Sequence, residues 1–178
     1  MRRYVFAALL ASSVSPASSA RLVNGSFEQS VPVTVNQKLT LSAGSTALPG
    51  WIINSGNIDL VSTYWRGTDG ANSVDLNGTA AGSISTTILG MITGRVYDIT
   101  FDMAANPDAV PNAKVIRVTS GLASATYSRP RAGSTRAAMN WATMLFTTTA
   151  TAITPVASQP RRRCRACRVC SPSRLRCE

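Results

Sequence analysis

The stretch from Leu48 to Gly78, LPGWIINSGNIDLVSTYWRGTDGANSVDLNG, sets the strongest limit on the fold. Its apolar residues come in short bursts, Trp51 to Ile53, Ile58 to Val61 and Val74 to Leu76, each bounded by Gly, Asn, Ser or Asp. Bursts of this length between turn residues specify short strands and tight turns. Such strands bury alternate side chains in a sandwich core. Tyr64, Trp65, Arg66, Asp69 and Asn72 are left to line a loop surface.

The flanking chain repeats the pattern. Leu22, Val23 and Phe27 read as a short strand broken by an Asn-Gly turn, and Val31 to Val35 as an edge strand containing a proline, continued by Leu39 to Leu41. Ser83 to Ile88 alternates. Arg95 to Ala104 is the clearest strand: Tyr97, Ile99, Phe101 and Met103 point to one face, Val96, Asp98, Thr100 and Asp102 to the other. Lys114 to Ser120 and Ser124 to Tyr127 form a hairpin across Gly121, an exposed basic loop spans Arg129 to Ala138, and Met139 to Thr149 is a late core strand. Nine or ten strands without a βαβ rhythm predict an all-β, antiparallel jelly-roll sandwich.

Composition narrows the function. The chain has no histidine, and its four cysteines all follow residue 160, so the body has neither a Ser-His-Asp triad, a Cys-His pair nor a disulfide. The net charge of +10 suggests a nucleic-acid or anionic-surface partner, but seven of the eighteen basic residues lie in Arg161 to Arg176. Residues 1–20 read as a secretory signal peptide: Arg2 and Arg3, a short apolar run from Tyr4, and Ser18-Ser19-Ala20 before the cut. The expected location is therefore secreted or cell-surface, with no transmembrane segment in the mature chain.

Six motifs occur in order: VNGSFE at Val23, LPGW at Leu48, NIDLV at Asn57, Tyr64-Trp65, DLNG at Asp75 and FDMAANPD at Phe101. Together they resemble the choice-of-anchor C family, which is related to the secreted plant domain-of-unknown-function 642 group and has a galactose-binding-like jelly roll. The resemblance covers about Leu22 to Phe146. It implies an exported bacterial surface protein whose fold is shared with carbohydrate-binding modules. In sugar-binding relatives of this architecture the glutamate of Asn-Gly-Ser-Phe-Glu lies beside a structural calcium, which makes Glu28 the calcium candidate. Those relatives complete the site with an aspartate in a closing strand that this sequence does not show.

Residues 21–150 are expected to form the domain, and 151–178 an atypical Arg/Cys-rich tail, frame-shifted or disordered. The C-x-x-C-x-x-C spacing of Cys164, Cys167 and Cys170, with Cys177 beyond, suggests zinc or an iron–sulfur cluster. Seven arginines and an oxidising compartment argue against both, and the absence of interleaved aromatics argues against nucleic acid.

Glycoside hydrolysis would need a facing pair among Asp59, Asp69, Asp75, Asp102 and Asp108, and no spacing singles one out. Asp98 and Asp102 read as solvent-facing strand residues, Asp75 as turn-forming, Trp51 as core and Trp65 as exposed. An aromatic ring with planar polar neighbours suits a sugar. The sequence thus predicts a non-catalytic, polysaccharide-binding module of the bacterial envelope or extracellular matrix, with structural calcium and no organic cofactor. The alternative is a structural or adhesive anchored surface protein that binds no free sugar.

Overall fold

The computed structural model describes residues 20–108, 110, 112–152, 155–160, 167–170 and 175–177, the last three as strand backbone. The signal-peptide expectation for 1–20 falls almost wholly outside the described residues, as does Cys164, and the side chains of the other cysteines are not described.

The strands are β1 (Arg21–Leu22), β2 (Lys38–Ser42), β3 (Ile52–Ser55), β4 (Asn57–Ser62), β5 (Asn72–Asp75), β6 (Ser83–Leu89), β7 (Val96–Ala105), β8 (Ala113–Ser120), β9 (Ala123–Pro130), β10 (Ala142–Thr149), β11 (Pro155–Pro160), β12 (Cys167–Cys170) and β13 (Leu175–Cys177). Every pairing among them is antiparallel. One sheet runs β1-β6-β11-β8-β9 with β3 also on β6, and the other runs β10-β7-β12-β5-β4-β2 with β13 also on β7. This is a jelly roll, as the strand pattern predicts, and no helix is present among the described residues.

Alternation decides which side chains enter the core. On β7, Tyr97, Ile99, Phe101 and Met103 are buried between the sheets. On β10, Phe146 faces Ile99 and Met144 faces Phe101 across the register, so Leu145 points outward. Ile58, Leu60 and Val74 extend this layer, and Ile84, Ile88, Ile116 and Val118 oppose it from the other sheet. Each such side chain contributes about 1.5–3 kcal/mol when fully buried. Phe101 meets Tyr127 of β9 edge-on, with centroids 5.1 Å apart. The Tyr127 hydroxyl donates to the Leu145 carbonyl at 2.6 Å.

The VNGSFE motif is a turn rather than the expected strand. Phe27 has φ 64° and its N–H donates to Asn24 O at 3.2 Å, which drops the ring into the core. The Asn24 side-chain amide donates to Gln29 O at 2.8 Å and Pro49 O at 2.7 Å, and Trp51 Nε1 donates to Asn24 O at 2.8 Å. Trp51 then packs on Phe27 with centroids 5.0 Å apart. These bonds tie VNGSFE to LPGW, two motifs far apart in the chain.

Two further expectations are corrected. Val31 to Val35 is loop, because Pro32 has no N–H for a ladder and Asn36 turns the chain with φ 59°. The sheet also continues past residue 150. The backbone of β11 lies between β6 and β8, pairing Val156 with Thr86 and Ser120, and β12 pairs with β5 and β7. Prolines begin and end β11, where a missing donor is tolerated best, and this hides the strand from a reading based on alternation.

Candidate functional site

Three connections meet at one end of the seven-stranded sheet: residues 63–71 between β4 and β5, residues 106–108 after β7, and residues 131–141 before β10. They meet because Ser62 pairs with Asn72, and Ala142 pairs with Met103 near the end of β7. The first and third connections fold over the sheet face turned away from the core. There Val61, Trp65, Ala104 and Met139 form a second apolar cluster, with Tyr64 and Trp141 packed against it.

Trp65 is 4% exposed, which corrects the expectation that it is an open platform. Its indole N–H donates to Ser73 Oγ at 3.3 Å. Tyr64 is half-buried and contacts Trp65 edge-on at 5.1 Å. Its ring lies beneath the guanidinium of Arg136, 4.3 Å from Cζ to centroid. Arg136 in turn bonds Asp108 through Nε at 3.0 and 3.1 Å, and the Tyr64 hydroxyl donates to the same carboxylate at 3.2 Å.

A groove of about 550 Å³ opens beside this cluster, lined by residues 63–67, Gly70, Ala71, Arg136 and Ala137. Of the residues expected from the sequence, Tyr64, Trp65 and Arg66 reach it; Asp69 and Asn72 do not line it. Asn72 bonds inward, its side-chain amide donating to Phe27 O at 3.0 Å and its N–H to Glu28 Oε1 at 2.6 Å. Sequence reasoning missed Arg136 and Trp141 and weighed Asp108 only as a catalytic carboxylate. Only the basic character of residues 129–138 hinted at the first.

Glu28, the calcium candidate, is an exposed carboxylate whose Oε1 accepts the Asn72 N–H, and among the described residues no three His, Cys, Asp or Glu side chains group with it. Its place is against the loop at Gly70, which has φ +81° and no side chain to obstruct the carboxylate.

Of the carboxylates, Asp59 and Asp75 are buried, whereas Asp98 and Asp102 keep the outward placement expected of them. Asp59 and Asp75 face each other across β4 and β5 at 2% and 3% exposure. Asp59 accepts from Lys38 Nζ at 2.8 Å and Thr40 Oγ1 at 2.6 Å, while Asp75 accepts from Asn77 N at 3.1 Å and Asn106 Nδ2 at 2.9 Å. Asp75 is therefore a buried strand residue as well as a turn former. The bond to Asp59 holds the Lys38 ammonium above its ordinary pKa, against the opposing effect of burial. Asp98 and Asp102 accept from Thr147 and Thr143 at 2.6 and 2.7 Å on the outer face. No helix among the described residues is long and apolar enough to cross a membrane.

The family model described as "Protein of unknown function (DUF642)" matches residues 20–171. The chain belongs to the DUF642 family. This DUF642 chain is also 40% identical over 91 residues to halomucin of Haloquadratum walsbyi, which covers 50% of the chain and 1% of halomucin. Among solved structures, it resembles the N-terminal CBM22-1-CBM22-2 tandem domain of Paenibacillus barcinonensis Xyn10C, with TM-score 0.54 and 10% identity over 81% of this chain and 50% of that one. The CBM22-1 xylan-binding domain of the same protein aligns with TM-score 0.48 and 16% identity, over 82% of this chain and 97% of that one. The DUF642 chain thus spans half of the tandem domain and a small fraction of halomucin, and at these structural identities the likeness is one of fold.

Proposed function

We propose that this DUF642 chain is an exported, non-catalytic module, of choice-of-anchor C type, that binds polysaccharide at the bacterial envelope or in extracellular matrix. The observation that carries the reading is the groove beside Tyr64. It lies on a jelly roll whose fold resembles a carbohydrate-binding-module tandem, and it combines an aromatic edge with guanidinium and hydroxyl donors. Sugars are bound by such mixed sites, in which apolar surface meets a few fixed polar groups. Export rests on the leader-like residues 1–20. The non-catalytic reading draws on Asp59 and Asp75, which are buried and do not line the groove.

Affinity electrophoresis of the full chain through gels containing xylan, laminarin, dextran or alginate tests the proposal, with reducing-end release followed in parallel. Retardation by at least one polymer without release is expected. Free migration through all four, or release of reducing ends, overturns it.

A further inference from the structure

We infer that the groove recognises an acidic polysaccharide, through the oxyanion of a uronic acid or sulfate ester held by Arg66, with Arg136 beside it. This rests on the polysaccharide-binding proposal and specifies its substrate class.

The backbone of Arg66 is clamped on both sides by the second loop. Its N–H donates to Arg136 O at 3.4 Å, and its carbonyl accepts Trp141 Nε1–H at 2.8 Å. Two arginines are thereby brought into register across chain segments 70 residues apart in the sequence. The Arg66 side chain is exposed and makes no hydrogen bond or ion pair among the described residues, whereas Arg136 is balanced by Asp108. Among the described residues no carboxylate lines the groove, so Arg66 brings to it a guanidinium that no ion pair holds.

A guanidinium has five donors and no acceptor, in a planar fork that matches a carboxylate or sulfate. A neutral sugar, whose hydroxyls both donate and accept, leaves that fork poorly used. An oxyanion on a pyranose uses it fully, and its charge-assisted bonds are roughly twice as strong as neutral ones. Gly67, Gly70, Ala71 and Ala137 keep the walls low, and the groove of about 550 Å³ accommodates a sugar unit. The positive character is local, since residues 20–152 hold nine basic against seven acidic side chains.

The test is titration calorimetry of the full chain with alginate, dextran sulfate, neutral xylan and single-stranded DNA, at low and moderate salt, repeated with Arg66→Gln. The exposed side chain leaves the backbone clamps intact, so this variant folds; a matching thermal midpoint verifies it. Expected is binding to alginate, dextran sulfate or both at least tenfold tighter than to xylan or DNA, weakened by salt and reduced at least tenfold by Arg66→Gln. Which acidic polymer binds tighter identifies the oxyanion. Equal or tighter binding of xylan overturns the acidic assignment and keeps the polysaccharide proposal. DNA bound as tightly as alginate overturns it in favour of unspecific charge. Binding unchanged in Arg66→Gln overturns it and assigns the attraction to arginines 161–176. Failure to bind any sugar polymer removes both proposals.

Discussion

Arg136 covers the ring of Tyr64 at 4.3 Å, and the two are joined a second time through Asp108, which accepts from both. Ring, guanidinium and carboxylate come from three separate connections, so this contact fastens the rim of the groove. Arg136 and Asp108 are 54% and 35% exposed at the side chain, which places the ion pair in the solvent-screened range of about 0.2–1 kcal/mol, with a comparable cation–π contribution. A double-mutant cycle of Asp108→Asn and Arg136→Gln in urea unfolding is expected to give a coupling under about 1 kcal/mol. Trypsin cleavage after Arg136 should accelerate in Asp108→Asn. A coupling of several kcal/mol would show the pair to be buried, against the geometry.

Trp65 is a stability residue. It fills the space between Val61, Ala104 and Met139 and leaves little ring open to solvent. Trp65→Ala should cost about 3–5 kcal/mol, a large share of the stability of a single domain. Trp65→Phe should cost less, because it keeps most of the volume and loses the bond to Ser73. Urea unfolding followed by circular dichroism measures both. A loss below about 1 kcal/mol for the alanine variant would contradict the burial.

The core was legible and the site only half so, for a physical reason. Period-two alternation is a local signal, and for Tyr97, Ile99, Phe101 and Met103 it named the buried face directly. Trp65 stands beside Arg66 and Gly67, a loop-like setting; it is buried because a loop held by Trp141, 75 residues on from Arg66, closes over it. Asp75 reads as a turn residue and Asp59 as one carboxylate among five until Asn106 and β2 supply their partners. In each case the deciding contact lies on a distant segment, and nothing in the local sequence encodes it.

The pair Lys38 and Asp59 makes stability sensitive to alkali. The bond to Asp59 raises Lys38 above its ordinary 10.5, and burial raises Tyr127 above its ordinary 10.0. A group whose folded pKa is raised contributes stability that is complete below its unfolded pKa and is lost as pH rises through the folded value. The urea midpoint should therefore hold steady up to about pH 10 and fall above it. The Lys38 side chain is 57% exposed, so screening keeps its share of the fall modest. Tyr127→Phe and Lys38→Met should each flatten the alkaline limb. Lys38→Met should also cost about 1–3 kcal/mol at neutral pH, because it strips the buried carboxylate of a donor. An alkaline limb unchanged in both variants would dissociate these groups from the effect.

Glu28 and Gly70 form the contact on which the loop 63–71 rests. Any β-carbon at Gly70 would run into Glu28 Oε1, and the φ of +81° is itself unfavourable to a side chain. Gly70→Ala should thus displace the carboxylate from the Asn72 N–H and cost about 2 kcal/mol. Glu28→Gln keeps an acceptor oxygen at that position and should cost about 1 kcal/mol or less. Because the carboxylate serves the loop, the thermal midpoint should be the same in millimolar calcium and in chelator. A calcium-dependent rise that disappears in Glu28→Gln would instead make Glu28 a metal ligand, with the bond to Asn72 as its support.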